Sequence, residues 1–282
     1  MRWRFVGYTL IYVAFAAFCL VTLSQDDGLG MGRRPWENFK RTAADMARPS
    51  FLDAWFGPTR LEYRNDEGQV LRVENRREVE TKFLRGLAVA VWTTFRIATL
   101  GTLLAGLLAL PLGFLTARNM AAPGVLAVPA KVVLDICRSV HTLVFGLFLV
   151  GIIGLGPTAG ILAIAAHSMG SFGKLYAESI ESIDMAAIDA VRAVGARPAQ
   201  VFFLGVWPAV LPQLISIHFY IWEYNIRDST VLGLVGAGGL GLLVSEAISL
   251  FQWSRLATIL IAIIAMVTAF DSLSRAARSR LL

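Results

Sequence analysis

Charge is scarce in this chain. Of its 282 residues only 16% are Asp, Glu, Lys or Arg, against 56% hydrophobic, and the mean hydropathy is +0.62. A soluble domain of this length carries roughly a quarter charged residues and cannot hide so much apolar surface. The shortage excludes an ordinary cytosolic enzyme, a disordered chain and a coiled coil. Cysteine is nearly missing too. Cys19 and Cys137 both lie in apolar runs, so no disulfide framework is expected. The three histidines, His141, His167 and His218, stand far apart with no carboxylate or cysteine at ligand spacing, so no metal site is expected. The chain has no G-x-x-x-x-G-K-[ST] stretch, so any ATP and Mg must be bound by a partner.

What is present is a series of long apolar runs. Phe5–Leu23 is uncharged for 19 residues, about 28 Å as a helix, which matches one hydrocarbon core. It exceeds a signal-peptide h-region and no small-x-small site follows, so residues 1–24 are expected to form a retained anchor helix. Further runs at Leu87–Thr116, Leu126–Ile153, Thr158–Phe172, Val206–Trp222 and Arg255–Phe270 complete an expected set of about six transmembrane helices. The fold class is therefore an all-α polytopic membrane protein, with residues 83–274 as its transmembrane core. The net charge of +6 follows the same pattern. Arg2 and Arg4 precede the first run, while Arg275, Arg278 and Arg280 sit in a basic cytoplasmic tail, 275–282. Flanking arginines anchor helix ends on the cytoplasmic side, and no basic stripe interleaved with aromatics points to nucleic acid.

Residues 25–82 differ in kind. They hold 11 basic and 11 acidic residues in 58 positions, the composition of a water-exposed, extracytoplasmic segment. Trp36–Met46 has the spacing of an interfacial helix with Trp36, Phe39 and Met46 on its apolar side. Leu61, Tyr63, Val70, Leu71 and Val73 flank Asn65-Asp66-Glu67-Gly68 and predict a small hairpin.

The loop 176–208 interrupts the apolar pattern. Asp184 is placed to cap a helix starting at Met185, Gly195 to end it in left-handed geometry, and Pro198 to open a second helix. The expectation is a helix-turn-helix of about ten residues per arm, with Ala186, Ala187, Ala190, Val191 and Val194 exposed. Helices so short need a surface to dock on. Physical chemistry alone fits a partner subunit and the chain's own bundle or bilayer equally well.

Asp189-Ala190-Val191, three residues, Gly195, nine residues, then Gly205-Val206-Trp207-Pro208 resembles the EAA loop of ABC importer permeases. Asp189 stands where that loop has Glu, and Gly205 and Trp207 where it has Ile and Leu. The resemblance implies a cytoplasmic coupling helix that sits in a groove of the ATPase, carried here by Asp184, Ala187, Asp189, Ala190, Val191, Gly195, Ala196 and Arg197. Trp222–Gly241 and Gly170–Ile183 resemble phosphonate transporter permeases and their phosphite and hypophosphite relatives. The likeness covers about Lys82 to Ala269. It implies a MetI-like core in a bacterial inner membrane and alternating access. The partners implied are an ABC ATPase dimer, an extracytoplasmic solute-binding protein and a second permease copy. The chain departs from the family at Arg138-Ser-Val-His-Thr142, where Arg-Ser-Ile-Pro-Glu is usual, and in a longer 25–82 segment.

Ionisable and polar residues inside spans are the candidates for a substrate pathway or gate. They are Arg138, Ser139 and His141 in one run and Glu223, Asn225, Arg227, Ser229 and Thr230 in another. Arginine suits bidentate recognition of a phosphorus oxyanion. Arg138 with Asp135 at i−3 reads more simply as an ion pair, while Arg227 with Glu223 at i−4 fits a pair and a pathway role alike. Gly236-Ala-Gly238-Gly-Leu-Gly241 satisfies G-x-G-x-x-G but lacks a βαβ frame, so it reads as a turn. A secondary transporter is disfavoured by the absence of an evident inverted repeat, and a membrane enzyme by the absence of an acid–base cluster.

Overall fold

The computed structural model describes residues 2–25, 34–56, 60–64, 70–120 and 124–279. The chain divides into two compact units, Met1–Ala47 and Arg48–Leu282. The first holds α1 (Arg2–Gln25) and α2 (Pro35–Met46). Within α1, none of the span Val6–Ser24 is buried, which suits a helix whose surroundings are lipid. Pro35 opens α2, where its missing N–H costs nothing, and Trp36 stacks on Phe39 with centroids 5.5 Å apart.

The second unit begins with α3 (Ser50–Phe56) and an antiparallel pair, β1 (Arg60–Arg64) and β2 (Val70–Asn75), with Arg60 opposite Asn75 and Glu62 opposite Val73. These are the strands expected around Asn65–Gly68, a turn that lies outside the described residues. The side chain of Asn75 accepts from the Arg77 amide at 3.1 Å and starts α4 (Arg76–Thr116), ahead of the expected edge at Lys82.

Helix α4 packs along α7 (Pro157–Glu181), and small residues set their separation. A Cβ at Gly101 would lie 2.8 Å from Ile164 Cβ, and one at Gly113 would lie 2.8 Å from Tyr176 Cβ. Close approach of this kind replaces the hydrophobic drive that is lost between helices in lipid. Asn225 of α10 (Trp207–Leu232) is wholly buried between the two helices. Its Nδ2 donates to Thr102 Oγ1 at 2.8 Å and its Oδ1 accepts from Ser168 at 2.9 Å.

The span count differs from expectation. Among the described residues, four helical stretches are long and apolar enough to cross a membrane, or five if one bent pair is counted. They are in α1, in α4, from Pro198 to Val235, and in α12 (Trp253–Arg278). The bent pair is the expected third span. It is broken into α5 (Gly124–Ser139) and α6 (Thr142–Ile153), which turn by 93°. His141 Nδ1 accepts from the Leu143 amide at 3.2 Å and caps α6, while His167 Nδ1 donates to the Val140 carbonyl at 2.8 Å. Two backbone groups at the break are thus satisfied, the Leu143 amide by His141 within it and the Val140 carbonyl by His167 of α7. The expected fourth span is the first part of α7, which is not among the apolar helices. Its Gly, Ser and His residues lower its hydropathy, and Gly160, Ser168, Gly170 and Gly173 are buried within the bundle.

Between α7 and α10 lie α8 (Met185–Ala193) and α9 (Pro198–Val201). Beyond α10 the chain turns through Gly236, Gly238 and Gly239, at φ of 95°, 84° and 73°, into α11 (Leu240–Ser249). The G-x-G-x-x-G stretch is therefore a left-handed turn, pinned where the Leu240 amide donates to Thr94 Oγ1 at 2.8 Å.

Candidate functional site

The α8 arm is built as its sequence demands. Asp184 accepts from the Ala186 amide at 3.0 Å, and Gly195 ends the arm at φ +83° with open space where a Cβ would stand. Ile188 is turned inward and buried with Val201 and Val206, and Val191 packs beside them. Ala186, Ala187, Asp189 and Ala190 are exposed, as are Gly195 and Arg197, with Val194 at 83% exposure. Asp189 pairs with Arg192 at 2.9 Å. The root of the arm is tied to the end of α4 by two bonds. Asn119 Nδ2 donates to the Ile180 carbonyl at 2.7 Å, and the Arg118 amide donates to Glu181 at 2.9 Å. The arm is thus a small, apolar, outward-facing surface on a fixed root.

The second arm departs from the ten residues expected. Helix α9 has four residues, after which a π-helical turn, Phe202–Val206, runs without a break into α10. Pro208 lies just beyond and cannot donate to a carbonyl one turn back, and a wider turn relieves the clash its ring would make there. Trp207 stacks on Phe114 of α4 with centroids 6.4 Å apart, and Phe202 meets the same ring edge-on at 5.3 Å. Phe202 and Trp207 thus join the end of the second arm to α4 and α10.

The polar candidates fall into three places. Arg138 Nη2 lies 2.8 Å from Asp135 Oδ1, while Ser139 bonds back to the Asp135 carbonyl. Arg227 bridges Glu223 of its own helix and Asp271 of α12 at 3.1 Å, and Arg278 reaches Glu223 at 3.0 Å. This four-member network joins α10 to α12, so Arg278 is part of a helix and not of a free tail. Asn225 and Ser229 are buried; Ser229 and Thr230 donate to carbonyls one turn back, Ile226 and Arg227. The structure does not gather these residues into one site.

It does gather others that the sequence reading passed over. A cavity of about 400 Å³ is lined by Arg138 together with His167, Ser168, Ser171, Lys174 and Tyr224. The signal was present, since His167, Ser171 and Lys174 stand at i, i+4 and i+7 on one face of α7. Among the described residues no group of three or more His, Cys, Asp or Glu is arranged to hold a metal.

A helical membrane bundle with a broken span, a polar cleft and a rooted, protruding arm is a membrane transport component. The sequence matches the family of binding-protein-dependent transport system inner membrane components over residues 109–282, and the chain belongs to that family. It is accordingly a multi-pass inner-membrane protein. It is 41% identical to a phosphite transport system permease protein of Stutzerimonas stutzeri over 181 residues, 64% of this chain and 66% of that one. It is 37% identical to a phosphate-import permease protein of Mycolicibacterium smegmatis over 195 residues, 69% of this chain and 37% of that one. The match spans no more than about two thirds of these relatives' own length. In fold it is similar to the inward-facing MetNI methionine ABC transporter, with a TM-score of 0.63 at 20% identity over 71% of this chain and 98% of that one.

Proposed function

We propose that the chain is the permease subunit of an ATP-driven importer that carries phosphite, phosphonates or a related phosphorus oxyanion. The observation that carries the transport reading is the α8 arm, capped by Asp184, rooted through Asn119 and Ile180, and exposed along Ala186, Ala187, Ala190 and Val194. A small apolar face of this kind fits a groove of a partner ATPase, which binds ATP and Mg and does the hydrolysis, so the permease itself is not the enzyme. A solute-binding protein delivers cargo at the outer face. Two permease copies related by two-fold symmetry, each with its own arm, enclose the path. Closure of the ATPases moves α8 against Phe202, Trp207 and Phe114, and the bundle alternates between its two openings.

The cargo reading is supported by relatives named for phosphite and phosphate and by the basic, hydroxyl-lined cleft at Arg138 and Lys174. A permease for another small solute is the alternative, favoured by 31% identity over 116 residues to a methionine import system permease protein of Bacillus subtilis. Co-purification with the partner ATPase tests the coupling role. Val194→Asp places a charge on the exposed face without touching the Ile188 anchor and is expected to abolish co-purification. Full retention of the ATPase by this variant rejects the docking assignment.

A further inference from the structure

Two cavities meet at the same pair of cations. The first is the cleft of about 400 Å³ already described, and among the described residues no carboxylate lines it. The second, of about 410 Å³, shares Arg138 and Lys174 with the first and adds the acids Asp135, Glu178 and Glu181 together with the bases Arg118 and Lys131. Thr116, Arg118 and Glu181 also line the second cavity, which places it at the end of the bundle that carries α8. Each shared cation is tethered by a carboxylate of its own helix. Arg138 Nη2 is 2.8 Å from Asp135, and Lys174 Nζ is 3.6 Å from Glu178. Neither tether exhausts its cation: guanidinium has five N–H donors and ammonium three.

We infer that the first cavity is a site for a small tetrahedral oxyanion, and that Arg138 and Lys174 pass the anion into the second cavity in competition with Asp135 and Glu178. This rests on the importer reading above. In the first cavity the anion meets the remaining donors of Arg138 and Lys174 and the hydroxyls of Ser171 and Tyr224, with no carboxylate in the lining among the described residues. In the second it meets Asp135 and Glu178, which already claim the same donors, and Glu181, which pairs with Arg118, beside the further cation Lys131. The anion therefore binds to donors that Asp135 and Glu178 also claim, a competition that keeps binding weak enough for an ion to enter and leave. Two cations also set a preference for ligand charge, since a dianion engages both and a monoanion is satisfied by one.

The test is uptake into proteoliposomes by the whole complex of permease, ATPase and binding protein, with phosphite, which ionises twice, and hypophosphite, which ionises once. Lys174→Gln is expected to lower phosphite uptake at least about tenfold and hypophosphite uptake by no more than about threefold, with Lys174→Arg restoring phosphite uptake. Glu178→Gln frees Lys174 and is expected to slow phosphite release, and so its uptake, more than that of hypophosphite. Equal losses for the two ligands, or no rescue by Arg, overturn the inference. If the wild-type complex moves neither anion, nor phosphate, methylphosphonate or 2-aminoethylphosphonate, the phosphorus-oxyanion importer reading itself fails, a result distinct from wild-type uptake that Lys174→Gln leaves unchanged. Vesicles of phosphatidylcholine alone are expected to keep the charge preference. Its loss when anionic lipid is removed assigns the two cations to a lipid headgroup and overturns the site.

Discussion

Asn225 and Thr102, 123 positions apart, are joined by a 2.8 Å hydrogen bond in the interior of the bundle, and Ser168 closes the group from the third helix. Every polar group of this set is spent on another helix or on its own turn, for Thr102 also donates to the Ala98 carbonyl at 2.6 Å. Such interhelical bonds contribute roughly 0.6 kcal/mol each and at most about 1.7.

Asn225→Ala is therefore expected to lower the melting temperature of the purified protein by several degrees, through two lost bonds and a small void, together about 2–3 kcal/mol. Its ranking of ligands should match wild type. A changed ranking with unchanged melting would make Asn225 a ligand contact instead of a tie between α4, α7 and α10.

Asp184 caps an arm of nine residues, too short to hold its helix without help. Removing the cap with Asp184→Ala costs about 1 kcal/mol of local stability. Amide exchange at Ala186 and Ala187 should rise several-fold, while Asp184→Ser keeps wild-type protection. Unchanged exchange in Asp184→Ala would mean that packing at Ile188 alone sets the arm.

Gly195 closes the arm at φ +83°, a conformation that costs an L residue about 1–2 kcal/mol although nothing blocks its Cβ. Gly195→Ala is expected to reduce ligand-stimulated ATP hydrolysis by several-fold and Gly195→Asp to abolish it, with the bundle still folded by circular dichroism. Gly195→Asn, which tolerates left-handed geometry, should fall between Ala and wild type. Equal activity across the series removes the turn from the coupling path.

Much of this architecture was legible in the sequence because it depends on local signals. The cap at Asp184, the left-handed Gly195, the Pro198 helix start and the paired strands on either side of Asn65–Gly68 all follow from residue type and position. Span counting succeeded for α1, α4, α10 and α12, where apolar runs face lipid. At α5–α6 the expected run is bent by a break that hydropathy does not register, and at α7 polar residues lower the hydropathy below that of the other long helices. Nothing in the composition of Leu126–Ile153 announces a 93° turn that is satisfied from elsewhere by His167. The length of the second arm was misjudged for a related reason, since a π turn keeps the helix going through Phe202–Val206. The cleft was missed because its cations come from different helices. Arg138 on α5 and Lys174 on α7 become neighbours only through the close seating of Gly170, where a Cβ would lie 2.5 Å from the Arg138 amide nitrogen.

The central claim is that the chain couples ATP hydrolysis by a partner to the passage of a phosphorus oxyanion. The most direct measurement is ATP hydrolysis by the reconstituted permease, its genetic-neighbour ATPase and its binding protein. Methylphosphonate, 2-aminoethylphosphonate, phosphite, hypophosphite and phosphate are each added in turn, with methionine as the unrelated solute. The account predicts selective stimulation by one or more of the phosphorus oxyanions and none by methionine. Stimulation by methionine alone, or an assembled complex that responds to no phosphorus oxyanion, would contradict it.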